Sequence, residues 1–149
     1  MSKLKLITFT NKGYVDYTKN LLVSNIRNDV NLDIKVYTLD NYSYEYFSDF
    51  HKNVELFEKD DFANKYLSQA DENFGNLMLV KFELIYQELL NNENVFYVDG
   101  DIVFKQDFQD YILNYSPESD IVFQNDLRPS KPNREWVCAG FMYIKSNDI

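Results

Sequence analysis

Short apolar runs and longer amphipathic segments take turns along this chain, and the alternation predicts βαβ units feeding a mostly parallel sheet. "LKLITF" (4–9) reads as a first strand and "TNKG" turns the chain. Residues 14–28 then carry Tyr14, Tyr17, Leu21 and Val15, Leu22, Ile26 at helical spacing, with Asp16 in the first turn where the macrodipole favours an acid. "DIKVYTL" (33–39) and "NVELF" (53–57) read as the next two strands, while the aromatic stretch "YSYEYFSDF" between them has no assignable structure. Residues 59–75 are polar and punctuated, as expected for a loop with a short helix closed by Gly75. The clearest helix spans 76–91, with Met78, Phe82, Ile85 and Leu89 at i, i+4, i+7 and i+11. "VFYV" (95–98) is apolar on both faces, as a central parallel strand is. A short helix (108–115), a fifth strand "DIVFQND" (120–126) and a sixth, "CAGFMYI" (138–144), complete the pattern.

The fold class expected is therefore α/β, a Rossmann-like sheet with flanking helices. With 149 residues, 45% of them apolar, and 12 Tyr and 12 Phe, the chain fills one core and is too short for two full-sized domains. It carries no internal repeat, low-complexity tract or interior linker.

The formal net charge of −9 argues against a nucleic-acid or anionic-membrane partner, both of which demand a basic face. A phosphate-bearing ligand would need a metal ion or a few placed cations, the candidates being Lys12, Lys81, Arg128, Lys131 and Arg134. The single cysteine, Cys138, forms no intrachain disulfide and fits a reducing compartment. "MSKLKLITFT" is too short for a signal-peptide core, and no run approaches the ~18 apolar residues of a membrane span. A soluble, cytoplasmic protein is expected, in which the Asn-Tyr-Ser sequons at Asn41 and Asn114 arise by chance.

The chemistry concentrates in "NVFYVDGDIVF" (94–104), where Asp99 and Asp101 flank Gly100 at the end of the apolar strand. In an extended chain, residues two apart point to one face with Cα atoms about 6 to 7 Å apart. Open α/β sheets bind ligands outside the carboxyl ends of their strands, which is where both acids stand. Two neighbouring carboxylates repel one another unless a cation or protons offset the cost. Oxygen-only ligation favours Mg²⁺ or Mn²⁺, held by one or two carboxylates with substrate phosphates and water filling the remaining positions. Gly100 lets the backbone turn and a ligand come close. The bland alternative is an ordinary hairpin turn joining "VFYV" to "IVF". On a helical wheel Lys81 sits about 75° from the centre of the 76–91 apolar stripe. It either snorkels or pairs with Glu88, or it is directed at a ligand.

An ordered set of features resembles the nucleotide-diphospho-sugar transferases of the GT-A fold. It comprises a Lys-bearing helix, a strand running into D-x-D, "DIVFQND", and a small-Gly-aromatic strand in "CAGFMYIKS". The resemblance is best over residues 76–146 and is one of topology alone over 1–58. It implies a metal-dependent glycosyltransferase that moves a sugar from a nucleoside-diphosphate donor, of UDP or GDP type, to a hydroxyl acceptor. Asp101 then looks like the direct Mn²⁺ or Mg²⁺ ligand, and Asp99 like its partner, holding the ribose or a metal-bound water. Lys81 matches the family's basic residue approaching the donor. Thr8, Phe9 and Thr10, with Tyr14 beyond, lie where such folds clasp the nucleoside. Gln124 and Asp126 lie where donor sugar and acceptor meet, with Asp126 the candidate base. Gly140 resembles the small residue that lets the sugar lie against the backbone.

Departures accompany the match. Such enzymes continue past the sixth strand into an acceptor-binding half that often adds a His or Asp to the metal, so the chain reads as a single domain, 1–149, lacking that part. His51, the one histidine, lies between strands two and three and reads as a surface residue. Cys138 stands where relatives often carry Asn. A final strand uncovered by any helix invites pairing with a second chain. The loop "NDLRPSKPNREW" (125–136) is the expected mobile element, its Arg128, Lys131 and Arg134 either meeting phosphates as the site closes or simply solvated, as exposed loop cations more often are. One rival is a non-catalytic nucleotide- or partner-binding remnant of the fold. The other is a haloacid-dehalogenase-type phosphotransferase, against which stands the late position of the D-x-D.

Overall fold

The computed structural model describes residues 4–59, 65–91, 93–115, 117–126 and 136–147. Its elements run β1 (Lys5–Thr10), α1 (Val15–Arg27), β2 (Asp33–Thr38), α2 (Asn41–Ser48) and β3 (Val54–Leu56), then α3 (Phe74–Leu90), β4 (Val95–Val98), α4 (Gln109–Tyr115), β5 (Ile121–Asn125) and β6 (Val137–Ile144). The strands form one sheet in the order β3-β2-β1-β4-β6-β5. β3, β2, β1 and β4 are parallel, and β6 runs antiparallel to both β4 and β5. The α/β expectation, with a mostly parallel sheet between helices, holds.

Side-chain alternation along the strands splits the core into two layers. Leu6, Phe96 and Val98 pack on the α1 and α4 side with Leu21, Leu22 and Ile112. Ile7 and Tyr97 pack on the opposite side against Leu77, Val80, Leu84 and Ile85 of α3. At about 1.5–3 kcal/mol per fully buried large apolar side chain, these layers supply most of the driving force for folding.

Three differences from the sequence reading have physical causes. First, the unassigned aromatic stretch is α2. The Asp40 carboxylate caps it by accepting the Ser43 N–H at 2.8 Å, and Ser43 and Phe47 are its buried pair at i, i+4. Its Tyr residues at every second position imitate a strand period. Second, α3 turns a different stripe inward, burying Leu77, Val80, Lys81, Leu84, Ile85 and Glu88 and leaving Phe82 52% exposed. The helix is apolar on most of its circumference, and the face carrying two charges is buried because both charges find partners beneath it. Third, β6 is hydrogen-bonded on both sides, by β4 and β5, so association through this strand is excluded; the sheet edges are β3 and β5. In the 59–75 segment, residues 65–73 form turns and extended chain with no helix. His51 is tied inward, its Nε2 donating to the Ile34 carbonyl at 2.7 Å.

From β1 the chain moves out one way to β2 and β3, whereas β4 and its later neighbours lie on the other side of β1. The carboxyl ends of β1 and β4 therefore flank a topological switch point, the place where open α/β sheets leave a crevice for ligands.

Candidate active site

At the end of β4 the Asp99 N–H still donates to the Gly140 carbonyl at 2.9 Å, and the Ile102 N–H closes a turn onto the Asp99 carbonyl at 3.3 Å. The chain then leaves the sheet, and the Phe104 N–H donates to Ser24 Oγ of α1 at 2.9 Å. Residues 102–104 are not a strand, which excludes the hairpin alternative. Gly100 is needed for close packing rather than for an unusual backbone angle. Among the described residues no glycine has positive φ, while a Cβ on Gly100 would sit 2.6 Å from Thr18 Oγ1.

Asp99 is held by two donors on one oxygen. Lys81 Nζ and Tyr97 Oη each lie 2.8 Å from its Oδ1. The Lys81 side chain is only 4% exposed; its Nζ also donates to the Ala139 carbonyl at 3.1 Å and lies 4.9 Å from the centroid of the Tyr97 ring. Lys81 thus neither snorkels nor pairs with Glu88: its charge is spent on Asp99. Burial, reinforced by Asp99 and Asp101, holds the Tyr97 phenol well above its ordinary pKa, so it stays a proton donor to the carboxylate. Asp101, one step beyond the turn's glycine, is exposed.

Both acids line a cavity of about 240 Å³ whose other walls include Phe9, Tyr14, Tyr66 and Tyr97. Its outer wall, residues 65–69, is fastened by the loop after β1. Asn11 Nδ2 donates to the Lys65 carbonyl at 3.1 Å, Tyr14 Oη donates to the Leu67 carbonyl at 2.6 Å, and the Tyr14 and Tyr66 rings lie 5.0 Å apart. Gly13 permits this, since a Cβ there would fall 2.0 Å from the Tyr66 backbone nitrogen.

Of the sequence candidates, Phe9, Tyr14, Asp99, Gly100 and Asp101 line this cavity. Lys81 and Gly140 stand behind Asp99. Thr8 and Thr10 are buried, and neither is among the lining residues, because strand alternation turns Phe9, not its neighbours, toward the cavity. Gln124 lines a separate groove of about 890 Å³ between α4 and the β5–β6 strands, and Asp126, whose N–H donates to the Trp136 carbonyl at 2.7 Å, lines neither. Arg128, Lys131 and Arg134 lie outside the described residues. The sequence reading missed Tyr97 as a donor and the wall at 65–69. Strand period 2 places the Tyr97 hydroxyl on the same face as Asp99 and was the available signal for the first.

Toward the C-terminal end of α3 a second acid has a different setting. Glu88 is buried and accepts from Lys5 Nζ and Lys35 Nζ, each at 2.9 Å, and from Tyr37 Oη. Burial alone would raise its pKa, but the bonds from Tyr37, Lys35 and Lys5 outweigh it and bring the value down to about 2.

With this fold and site in view, the comparisons with known proteins agree. The family model for nucleotide-diphospho-sugar transferases matches residues 33–149, and the chain belongs to that family. A UDP-galactose:fucoside alpha-3-galactosyltransferase from Dictyostelium discoideum is 26% identical across 96% of this chain, which spans 26% of that protein. The structure of the galactosyltransferase LgtC with donor and acceptor sugar analogs superposes with a TM-score of 0.62 at 14% identity, covering 95% of this chain and 58% of LgtC. The glycosyltransferase GlyE of Streptococcus pneumoniae TIGR4 gives 0.55 at 16% identity, covering 97% of this chain and 34% of GlyE. These structures share the GT-A fold with this chain, and the chain spans about a quarter to somewhat over half of the proteins it matches. The phosphotransferase reading falls with this membership. No helix among the described residues is long and apolar enough to cross a membrane.

Proposed function

We propose that this chain binds a nucleoside-diphosphate sugar at the β1–β4 crevice through a divalent cation and serves transfer of the sugar to a hydroxyl acceptor. The observation that carries the reading is a charge balance. Lys81 is matched one to one with Asp99, Asp101 adds a second carboxylate, and among the described residues lining the cavity there is no Lys or Arg. A diphosphate brought against these carboxylates is repelled by them, and a doubly charged ion between the two offsets that cost. The donor set fits such an ion, since Asp99 and Asp101 offer hard carboxylate oxygens on the cavity wall. That is the pattern of Mg²⁺ or Mn²⁺ held by one or two carboxylates, with phosphate and water completing the sphere. When bound, the ion would supply Lewis-acid stabilisation of the charge that develops on the leaving diphosphate.

The chain's own residues do the rest. Phe9, Tyr14 and Tyr66 offer aromatic walls for the base and ribose. At about 240 Å³ the cavity is smaller than the ~300–1,000 Å³ of complete ligand sites, so it holds only part of the donor. The Dictyostelium relative is named for UDP-galactose, which makes UDP the first nucleotide and UDP-galactose the first donor to try.

Calorimetry with UDP in Mn²⁺ and in EDTA tests the binding reading. Tight binding only with metal supports it, and equal affinity in both rejects it. Release of UDP from UDP-galactose in Mn²⁺ separates a transferase from a domain that only binds.

A further inference from the structure

We propose that Tyr97 and Gly140 are positioning residues that make Asp99 a one-oxygen ligand: Tyr97 and Lys81 take up Oδ1, and Gly140 leaves the room in which Oδ2 faces the donor site. The inference rests on the reading of the site as a metal–diphosphate site and names what orients one of its ligands.

The geometry comes from both strands flanking the carboxylate. Tyr97 Oη and Lys81 Nζ approach the same oxygen, each at 2.8 Å, from β4 and α3. Neither bond involves Oδ2. The Asp99 side chain keeps 39% exposure, and among the described residues no donor is bonded to Oδ2. Gly140 lies beneath that side: a Cβ there would stand 2.5 Å from Oδ2 and 3.2 Å from the carboxyl carbon. A free surface carboxylate would swing away from such a methyl group. This one is pinned through Oδ1, so a side chain at residue 140 must displace the very oxygen left for a ligand.

The expected consequence is directional. A carboxylate with both oxygens free can rotate or chelate, whereas a pinned one offers a single lone-pair direction. Mg²⁺ and Mn²⁺ sites favour near-octahedral geometry and reward that fixed aim. The hydroxyl of Tyr97 is well suited to the task, because it donates without adding a charge that would compete with the ion.

The test uses the ratio of UDP affinity in Mn²⁺ to that in EDTA, measured by calorimetry on the wild-type chain, Tyr97→Phe and Gly140→Ala, each checked by thermal melting. Tyr97→Phe deletes one oxygen and keeps the ring beneath Lys81; its ratio is expected to fall about tenfold with melting near wild type. Gly140→Ala is expected to lower the ratio further. Tyr14→Phe, on the aromatic wall, should weaken binding equally in both media and leave the ratio unchanged. A wild-type ratio well above one that persists in both Tyr97→Phe and Gly140→Ala overturns the positioning role while leaving the metal site standing. A wild-type ratio of one overturns the metal site and the positioning role together.

Discussion

Two buried charges on one face of α3, Lys81 and Glu88, lie seven residues apart, and their ion pairs are built to different ends. Glu88 has both oxygens occupied, Oε1 by Lys35 and Tyr37 and Oε2 by Lys5, and its side chain is 3% exposed. Asp99, facing Lys81, has one oxygen occupied among the described residues and is 39% exposed beside a cavity. The helix supplies the acid in the first pair and the base in the second. What separates the two acids is how far each is enclosed and whether the carboxylate is saturated. A saturated acid has nothing left to offer a ligand, and an unsaturated one at a switch point does.

The largest effect expected from breaking this contrast is on stability at the saturated end. Glu88→Ala leaves Lys35, 17% exposed, with the exposed Glu55 at 2.8 Å but without its buried partner. Removing one member of a buried pair costs about 3–5 kcal/mol; a value near 3 is expected by urea denaturation, since Lys5 can reach water and also bonds Glu93. The metal-dependent gain in UDP affinity should survive in whatever fraction remains folded. A loss below about 0.5 kcal/mol would show the cluster to be ornamental.

Acid sharpens the same point. Glu88 is depressed from its ordinary 4.5 to about 2 in the folded chain, so its contribution is complete above pH 4.5 and disappears as pH falls toward 2. The shift corresponds to a loss on the order of 3 kcal/mol across that window. Denaturation curves at pH 5 and pH 2.5 should show the decline in wild type and a much flatter response in Glu88→Ala.

At the open end the expected effects are on binding. Gly13→Ala drives a methyl group into the Tyr66 backbone and should push the 65–69 wall off the cavity. A tenfold loss of UDP affinity, equivalent to about 1.4 kcal/mol, is expected with or without metal. The smallest effect is on the stability of Asp101→Asn: an exposed acid should cost within about 0.5 kcal/mol on thermal or chemical denaturation. A large destabilisation would place Asp101 with Glu88 rather than with Asp99.

Much of this architecture was legible because it is local. Every strand announces itself as an apolar run. Asp99, Gly100 and Asp101 are contiguous, and Lys81 shares its helix face with the apolar residues that anchor it. The missed parts depend on pairs distant in sequence or on residues with two natures. The wall at 65–69 exists because Asn11 and Tyr14 reach across more than fifty positions, and no periodicity encodes that. Tyr97 packs as an apolar residue and donates as a polar one, so within "VFYV" it counts only as the former. The α3 stripe was misplaced because Lys81 and Glu88 look like surface residues until their partners on β1, β2 and β4 are known. Gln124 and Asp126 were placed near the donor by their position at a strand end, yet β5 is the far edge strand, two places from β4.

The central claim is that the unsaturated acids grip a diphosphate through a divalent ion. Its most direct test is electron paramagnetic resonance of Mn²⁺ titrated with UDP, with the wild-type chain, with Asp101→Asn, and with no protein. The expected result is a signal from Mn²⁺–UDP broadened by the wild-type chain and indistinguishable from the protein-free control with Asp101→Asn. Equal broadening by both proteins, or none by the wild type, would contradict it.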